Sequence, residues 1–179
     1  RRAFTKLRSG RPGPVLLEMP TDVASEELDE VAFDYEPPET IRTAGDPEAI
    51  RRAVAARLAA RRPIIHVGQG VMYAEATEEL VQVAEFLQAP VMTTLAGKSA
   101  FPEHHPLALG CGGSSVITGP VGRLLPRADL VFGIGTSFTT HGMTLPVPAG
   151  KVIIHATNDP VDIDKYYVAD HPLIGDARL

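Results

Sequence analysis

The sequence reads as an α/β protein built on an open, mostly parallel sheet with helices on both faces. Three observations predict this. Apolar runs of strand length end in glycine, as in Pro63-Ile-Ile-His-Val-Gly-Gln-Gly70 and Leu130-Val-Phe-Gly-Ile-Gly135. Helical patterns or long crossovers separate the runs. The strand text is continuously apolar rather than alternating, as it is in strands buried on both faces. In such sheets ligands settle at the carboxyl ends of the strands, where glycine lets backbone come close.

Taken in order, residues 1–9 read as the end of a helix, with Phe4 and Leu7 on one face. Ser9-Gly10-Arg11-Pro12-Gly13-Pro14 breaks it, and Val15–Met19 reads as a buried strand stopped by Pro20. From Ala24 to Gly45 the text is acidic and proline-bearing (Glu26, Glu27, Asp29, Glu30, Asp34, Glu36, Pro37, Pro38, Glu39), which predicts an extended, solvated linker. Asp46-Pro47-Glu48 then opens a helix. The carboxylate caps free amides, proline suits the first position, and Glu48 suits the positive dipole end. Ile50, Ala53, Val54 and Leu58 predict its buried stripe, and Arg51, Arg52, Arg57, Arg61 and Arg62 a solvated face. After the strand at Ile64–Val67 comes an amphipathic helix over 74–88, with Leu80, Val81, Ala84 and Leu87 inward. Val91–Thr94 is the next strand. Residues 95–115 read as a long irregular loop of the kind that serves function or a partner. A short helix over 117–127, a strand at 130–135, a loop over 136–150, a strand at 151–157, a short helix over 161–167 and a last strand at 172–176 complete the pattern.

Composition excludes several classes of function. The 179 residues suit one ordinary domain, or one domain with a piece of another. A formal net charge of -5 and a pI near 5.7, with acids and bases mixed, leave no footprint for nucleic acid. No apolar run approaches the roughly 18 residues of a membrane span. The single cysteine, Cys111, excludes an internal disulfide and fits a reducing, cytoplasmic setting. Arg1-Arg2-Ala3-Phe4 has neither an initiator Met nor a signal-like apolar segment, so the start reads as a cut inside a longer chain.

Familiar motifs fail on spacing. Gly68-Gln69-Gly70 begins a dinucleotide fingerprint whose third glycine would fall at Tyr73, and Gly133-Ile134-Gly135 fails likewise at Phe138. Gly97-Lys98-Ser99 resembles the end of a phosphate loop, but its upstream glycine position is Met92. Gly112-Gly113-Ser114-Ser115 is not a nucleophile elbow. His66 and His155 sit in strands, where a hydrogen-bonded core or sheet-edge histidine is the ordinary case. His104, His105, His141 and His171 lie in loops or alone, so no metal site is expected. Cys111 has no partner that would make it a nucleophile. No catalytic residue is assigned. A self-standing NAD- or ADP-binding enzyme of the deoxyhypusine synthase or sirtuin type, which share this sheet, stays open beside a structural reading. So does an ADP- or CoA-sensing module.

Several stretches carry a resemblance. Gly10-Arg-Pro-Gly-Pro-Val-Leu-Leu-Glu-Met-Pro-Thr-Asp22-Val23 resembles the closing strand of the pyrimidine-binding domain in thiamine diphosphate enzymes of the acetolactate synthase type. Arg62–Gly70, Ala89–Thr94, Gly97-Lys98 with Phe101–Pro106, Ala128–Gly135, Ile154-His155 with Asp159-Pro160, and Gly175-Asp176 resemble the central domain of that family, in the family's order. The resemblance implies residues 1–23 as the tail of the pyrimidine-binding domain, 24–45 as linker, and 46–179 as the central domain, a Rossmann-like six-stranded sheet. It implies a homo-oligomeric parent enzyme that uses thiamine diphosphate and magnesium to decarboxylate or carboligate 2-keto acids, the cofactor carrying the chemistry. The activating glutamate and the metal motif of the family belong to domains missing here, so the segment alone is expected to be inactive and to serve as scaffold and packing element.

Flavin-binding relatives read Gly-Ala-Arg-Phe after the third glycine strand, where this chain has Gly135-Thr136-Ser137-Phe138. Their Ile-His-Ile-Asp-Ile-Asp-Pro becomes Ile154-His155-Ala156-Thr157-Asn158-Asp159-Pro160. Losing the arginine removes a bidentate cation from an anionic cofactor, so FAD or ADP is not the expected occupant. A nucleotide, where one binds, is sought at Gly68, Gln69, Gly70, Gly135, Thr136, Ser137 and Asn158. Each of these positions is equally explained as part of a tight strand-to-loop turn.

Overall fold

The computed structural model describes residues 1–27, 35–113, 116–117, 119–140 and 142–179, which form two compact units, Arg1–Arg42 and Thr43–Leu179. The expectations on Asp29, Glu30, Asp34, Ser114, Ser115 and His141 lie outside the described residues. No helix among those described is long and apolar enough to cross a membrane.

In the first unit, α1 (Arg2–Arg8) forms as expected and a one-turn helix, α2 (Thr21–Ala24), is added. Phe4 meets Tyr35 with ring centroids 5.9 Å apart, and Arg8 donates to the carbonyl of the buried Pro38 (3.3 Å). The linker is therefore partly anchored rather than wholly solvated. Val15–Met19 is a correction. It is neither buried nor a strand: Leu16 is 85 % and Leu17 78 % exposed. Strand-forming residues become a strand only against a sheet edge, and none among the described residues pairs with them.

The second unit opens at Asp46, whose carboxylate accepts from the amides of Glu48 (3.3 Å) and Ala49 (3.1 Å). It caps α3 (Pro47–Ala59), with Pro47 in the first turn. β1 (Pro63–Val67), α4 (Gly70–Tyr73), α5 (Thr77–Leu87), β2 (Val91–Thr93), β3 (Ala108–Gly113), β4 (Val116–Ile117), α6 (Gly119–Leu124), β5 (Leu130–Ile134), β6 (Val152–Thr157) and β7 (His171–Ile174) follow. The sheet order is β4-β3-β2-β1-β5-β6-β7. Six strands run parallel, as expected. The two-residue β4 adds an antiparallel seventh at the edge.

Side chains alternate between two apolar layers. Ile65 and Val67 of β1 pack with Val71, Leu80 and Ala84 of α4 and α5 on one face. Ile64, Val131 and Ile153 pack with Val121, Leu125 and Val147 on the other. On the first face, α3 joins through Ala53 against Leu130 and Ile154, with Leu173 beside them.

The structure revises several elements. The buried contact of α3 is its alanine stripe, Ala53 with Ala56 and Ala60, while Val54 and Leu58 face outward. Short side chains let the helix lie close to the sheet, so the larger ones sit on its flank. Arg57 is half-buried rather than solvated and donates to the Leu87 carbonyl (2.8 Å). The expected helix over 74–88 is α5 alone, starting at Thr77; Glu75 with φ 56° separates it from the one-turn α4 that precedes the expected span. The long loop contains β3, whose glycines hid it. Gly112 leaves room for Met92, whose Cε would lie 2.4 Å from a Cβ there. The helix over 117–127 becomes α6 and a 3-10 turn at Leu125–Arg127, as Pro126 dictates. The helix over 161–167 shrinks to a 3-10 turn at Pro160–Asp162, after which Asp164 adopts φ 59°.

Candidate functional site: the carboxyl ends of the strands

The glycine turn after β1 lies directly against the end of β5. A Cβ on Gly68 would stand 2.2 Å from the Gly135 carbonyl oxygen, and one on Gly70 2.7 Å from Gly135 Cα. Gly135 itself has φ +59°. The Gly68 amide donates to the Ile134 carbonyl (2.9 Å) and the Gly70 amide to that of Gly135 (2.8 Å). Both amides are thus used inside the fold, so these glycines close the backbone of two strands rather than cradle an anion.

Beyond β5 the chain folds back over one face of the sheet. His66, Gly133 and His155 lie side by side in register across β1, β5 and β6. The missing side chain of Gly133 makes room for Phe138, whose ring would come within 2.2 Å of a Cβ there. That ring sits 5.3 Å from the His66 imidazole, 4.8 Å from His155 and 5.6 Å from Tyr167. The Tyr167 hydroxyl accepts from the Val147 amide (3.0 Å) and ties down the far end of the loop. Thr136 is buried and its hydroxyl accepts from the Phe138 amide (3.1 Å), while Ser137 meets Thr139 (2.7 Å).

Both histidines are kept neutral. Burial, and then the neighbouring His155, push His66 down to about 4. Burial also lowers His155, opposed by the Thr136 carbonyl and by Asp162 and Asp164. His155 Nε2 donates to that carbonyl (2.8 Å), which fixes its tautomer. It is the hydrogen-bonded core histidine expected from the strand pattern. Nδ1 of His66 is not: it is buried with no partner among the described residues. Covered by Phe138 and closed to solvent, the pair is built for packing and not for proton transfer to a substrate.

A cavity of about 150 Å³ opens at the ends of β5, β6 and β7, lined by Phe132, Ile134, Leu173, Thr157, Asn158 and Asp176 among others. Gly70, Gly135 and Asn158 of the seven residues anticipated for a nucleotide line it. Gly68, Gln69, Thr136 and Ser137 do not. Gln69 instead meets the Tyr73 hydroxyl. Sequence reading missed Thr157, Gly175 and Asp176 as lining residues, although Gly175-Asp176 stood out in the text. Gly175 abuts Gly45, where a Cβ would lie 2.7 Å from the Gly45 nitrogen, and the Asp176 amide donates to Thr43 (2.8 Å). These two glycines shape one wall. A cavity of this size holds a single ring, whereas pockets for whole cofactors measure roughly 300–1,000 Å³. Among the described residues no three His, Cys, Asp or Glu side chains gather to hold a metal ion.

Comparison with known proteins agrees with this architecture. Residues 50–179 match the family described as thiamine pyrophosphate enzyme, central domain. The chain is 40 % identical over 184 residues to the acetolactate synthase large subunit of Corynebacterium glutamicum, covering 98 % of this chain and 29 % of that one. It is 35 % identical over 181 residues to the glyoxylate carboligase of Escherichia coli O157:H7, covering 98 % and 30 %. The benzoylformate decarboxylase of Polynucleobacter necessarius superposes with a TM-score of 0.74 at 25 % identity, over 99 % of this chain and 33 % of that one. The chain thus spans about a third or less of the proteins it matches. By the family match and by the relatives it resembles along nearly its whole length, it belongs to the central-domain family of thiamine pyrophosphate enzymes.

Proposed function

We propose that this chain is the structural core of a thiamine diphosphate-dependent, acetolactate synthase-like enzyme acting on 2-keto acids, and that it packs against segments that carry the reactive groups. Residues 1–23 are the tail of a pyrimidine-binding domain, 24–45 the linker, and 46–179 the central domain. The parent works in the cytoplasm as a homo-oligomer with thiamine diphosphate and magnesium. The observation that carries this reading is Val15–Met19, strand text with Leu16, Leu17 and Met19 well exposed, as befits a strand whose sheet lies in another domain. The residues present do not fit the cofactor itself. No acidic cluster among those described offers magnesium a seat, and the glycine amides that a diphosphate needs are used by β5. No chemical step is therefore assigned to this chain.

The cavity at Gly70, Gly135 and Asn158 is a remnant nucleotide position, too small for whole FAD and without the family's arginine at Ser137. Gly68, Gln69, Thr136 and Ser137 serve the turns. A thermal-shift series with FAD, ADP and NAD tests this. A ligand at 100 times its dissociation constant adds about 2.7 kcal/mol of stability, and none of the three is expected to do so. A shift with NAD alone would favour a self-standing enzyme instead.

A further inference from the structure

The cover over His66 and His155 takes no part in the cavity at the ends of β5, β6 and β7. Among the described residues from 136 to 147, Thr136, Phe138 and Val147 are buried. The Phe138 ring fills the slot left by Gly133, between the two imidazoles. It does so with φ 49°, a left-handed backbone that a phenylalanine keeps only where its surroundings hold it. Beyond it Thr140, Gly142 and Met143 are exposed. Beneath it the sheet is fixed. β1 and β6 both pair with β5 on either side of Gly133, and the opposite face of β1 packs on α4 and α5. Residues 136–140 are therefore the part of this enclosure that moves without breaking the sheet.

His66 gives the cover a chemical trigger. A charged imidazole donates from both nitrogens. Nδ1 of His66 is buried and has no acceptor among the described residues. The titratable group that acts on it is His155, which opposes its charge. Asp162 and Asp164 favour charge on His155, whose Nε2 already donates to the Thr136 carbonyl (2.8 Å), but they do not act on His66. Tyr167 touches the Phe138 ring, and its hydroxyl accepts from the Val147 amide. Residues 136–140 and 142–147 carry no acidic or basic side chain. Nothing described in the closed fold offers a protonated His66 a partner, so the partner has to be water.

We propose that residues 136–140 form an acid-released latch: when His66 takes up a proton, the Phe138 ring leaves the Gly133 slot and admits water to both imidazoles, while the parallel sheet stays paired. Opening also relieves the left-handed backbone at Phe138. The latch is independent of the thiamine reading, and its failure leaves that reading standing.

Amide hydrogen exchange of the chain at pH 7 and pH 5, corrected for the intrinsic effect of pH, tests it. An opening that returns His66 from about 4 to its ordinary 6.5 is favoured about twentyfold more at pH 5 than at pH 7. The Phe138 amide, held by the Thr136 hydroxyl (3.1 Å), is expected to lose protection by that factor. At both pH values it should be far less protected than the Ile65 amide, which donates to the Pro90 carbonyl inside the sheet (2.9 Å). A Phe138 amide indifferent to pH, or one as protected as Ile65, would overturn the latch. Proton NMR titration of the His66 ring in F138A is the second measurement. With the wedge gone, His66 is expected to bind its proton about tenfold more tightly, or better, than in the native chain. A folded F138A protein whose His66 titrates as in the native chain would equally overturn the proposal.

Discussion

His66 is a buried imidazole with a second histidine beside it, and this couples the fold to acidity. Its pKa lies near 4 against an ordinary 6.5. The unfolded chain therefore takes up a proton first as pH falls. The stability His66 contributes is fully present above pH 6.5 and drains away as pH drops toward 4, by about 3 kcal/mol at most. His155, lowered in the same direction, adds to the slope. Urea midpoints measured from pH 7 to pH 4 should fall, and His66→Leu should flatten the curve by removing the larger contribution. Parallel curves for the two proteins would show that the imidazole is not held neutral by the fold. The histidines were visible in their strands from the sequence. The wedge between them was not, because Phe138 depends on a vacancy at Gly133 and on its own φ of 49°, neither of which leaves a local pattern.

At the scale of elements, the contact of the β1 turn with the end of β5 is the tightest junction near the strand ends. Adding a methyl group at Gly68 drives it into the Gly135 carbonyl at 2.2 Å and Thr136 Cα at 2.5 Å, both backbone. Gly68→Ala is expected to cost about 3 kcal/mol or more, read as a drop in the urea midpoint. Gly13→Ala, with nothing within 4 Å of the added atom, is the control and should change little. An unaffected Gly68→Ala protein would show that the turn moves freely. Those glycines were legible as turn residues, and the apolar runs of β1, β2, β5 and β6 as strands, because burial on both faces writes itself into composition; β7, at the sheet edge and only half-buried, was legible from its short apolar run alone. β3 was not legible: Ala-Leu-Gly-Cys-Gly-Gly has loop composition and becomes a strand through its neighbour β2. The stripe of α3 misled for a related reason. Helical periodicity names the apolar flanks, but which flank is buried depends on how closely alanines let the helix approach the sheet.

For the whole molecule, the parallel sheet and its two apolar layers make a rigid body whose strand ends hold neutral, covered histidines and a small cavity. Order and spacing of motifs sufficed to read that architecture. The site was half legible. Gly70, Gly135 and Asn158 converge on the cavity, while Thr157 and Asp176, though both visible in the text, were not read as lining residues, because residues contributed by separate strands share no spacing. The role proposed for such a body is to position chemistry supplied from elsewhere. The direct measurement is carbon dioxide release from pyruvate by this chain with thiamine diphosphate and magnesium. No release above the protein-free rate is expected, and turnover by the chain alone would contradict its role as a scaffold.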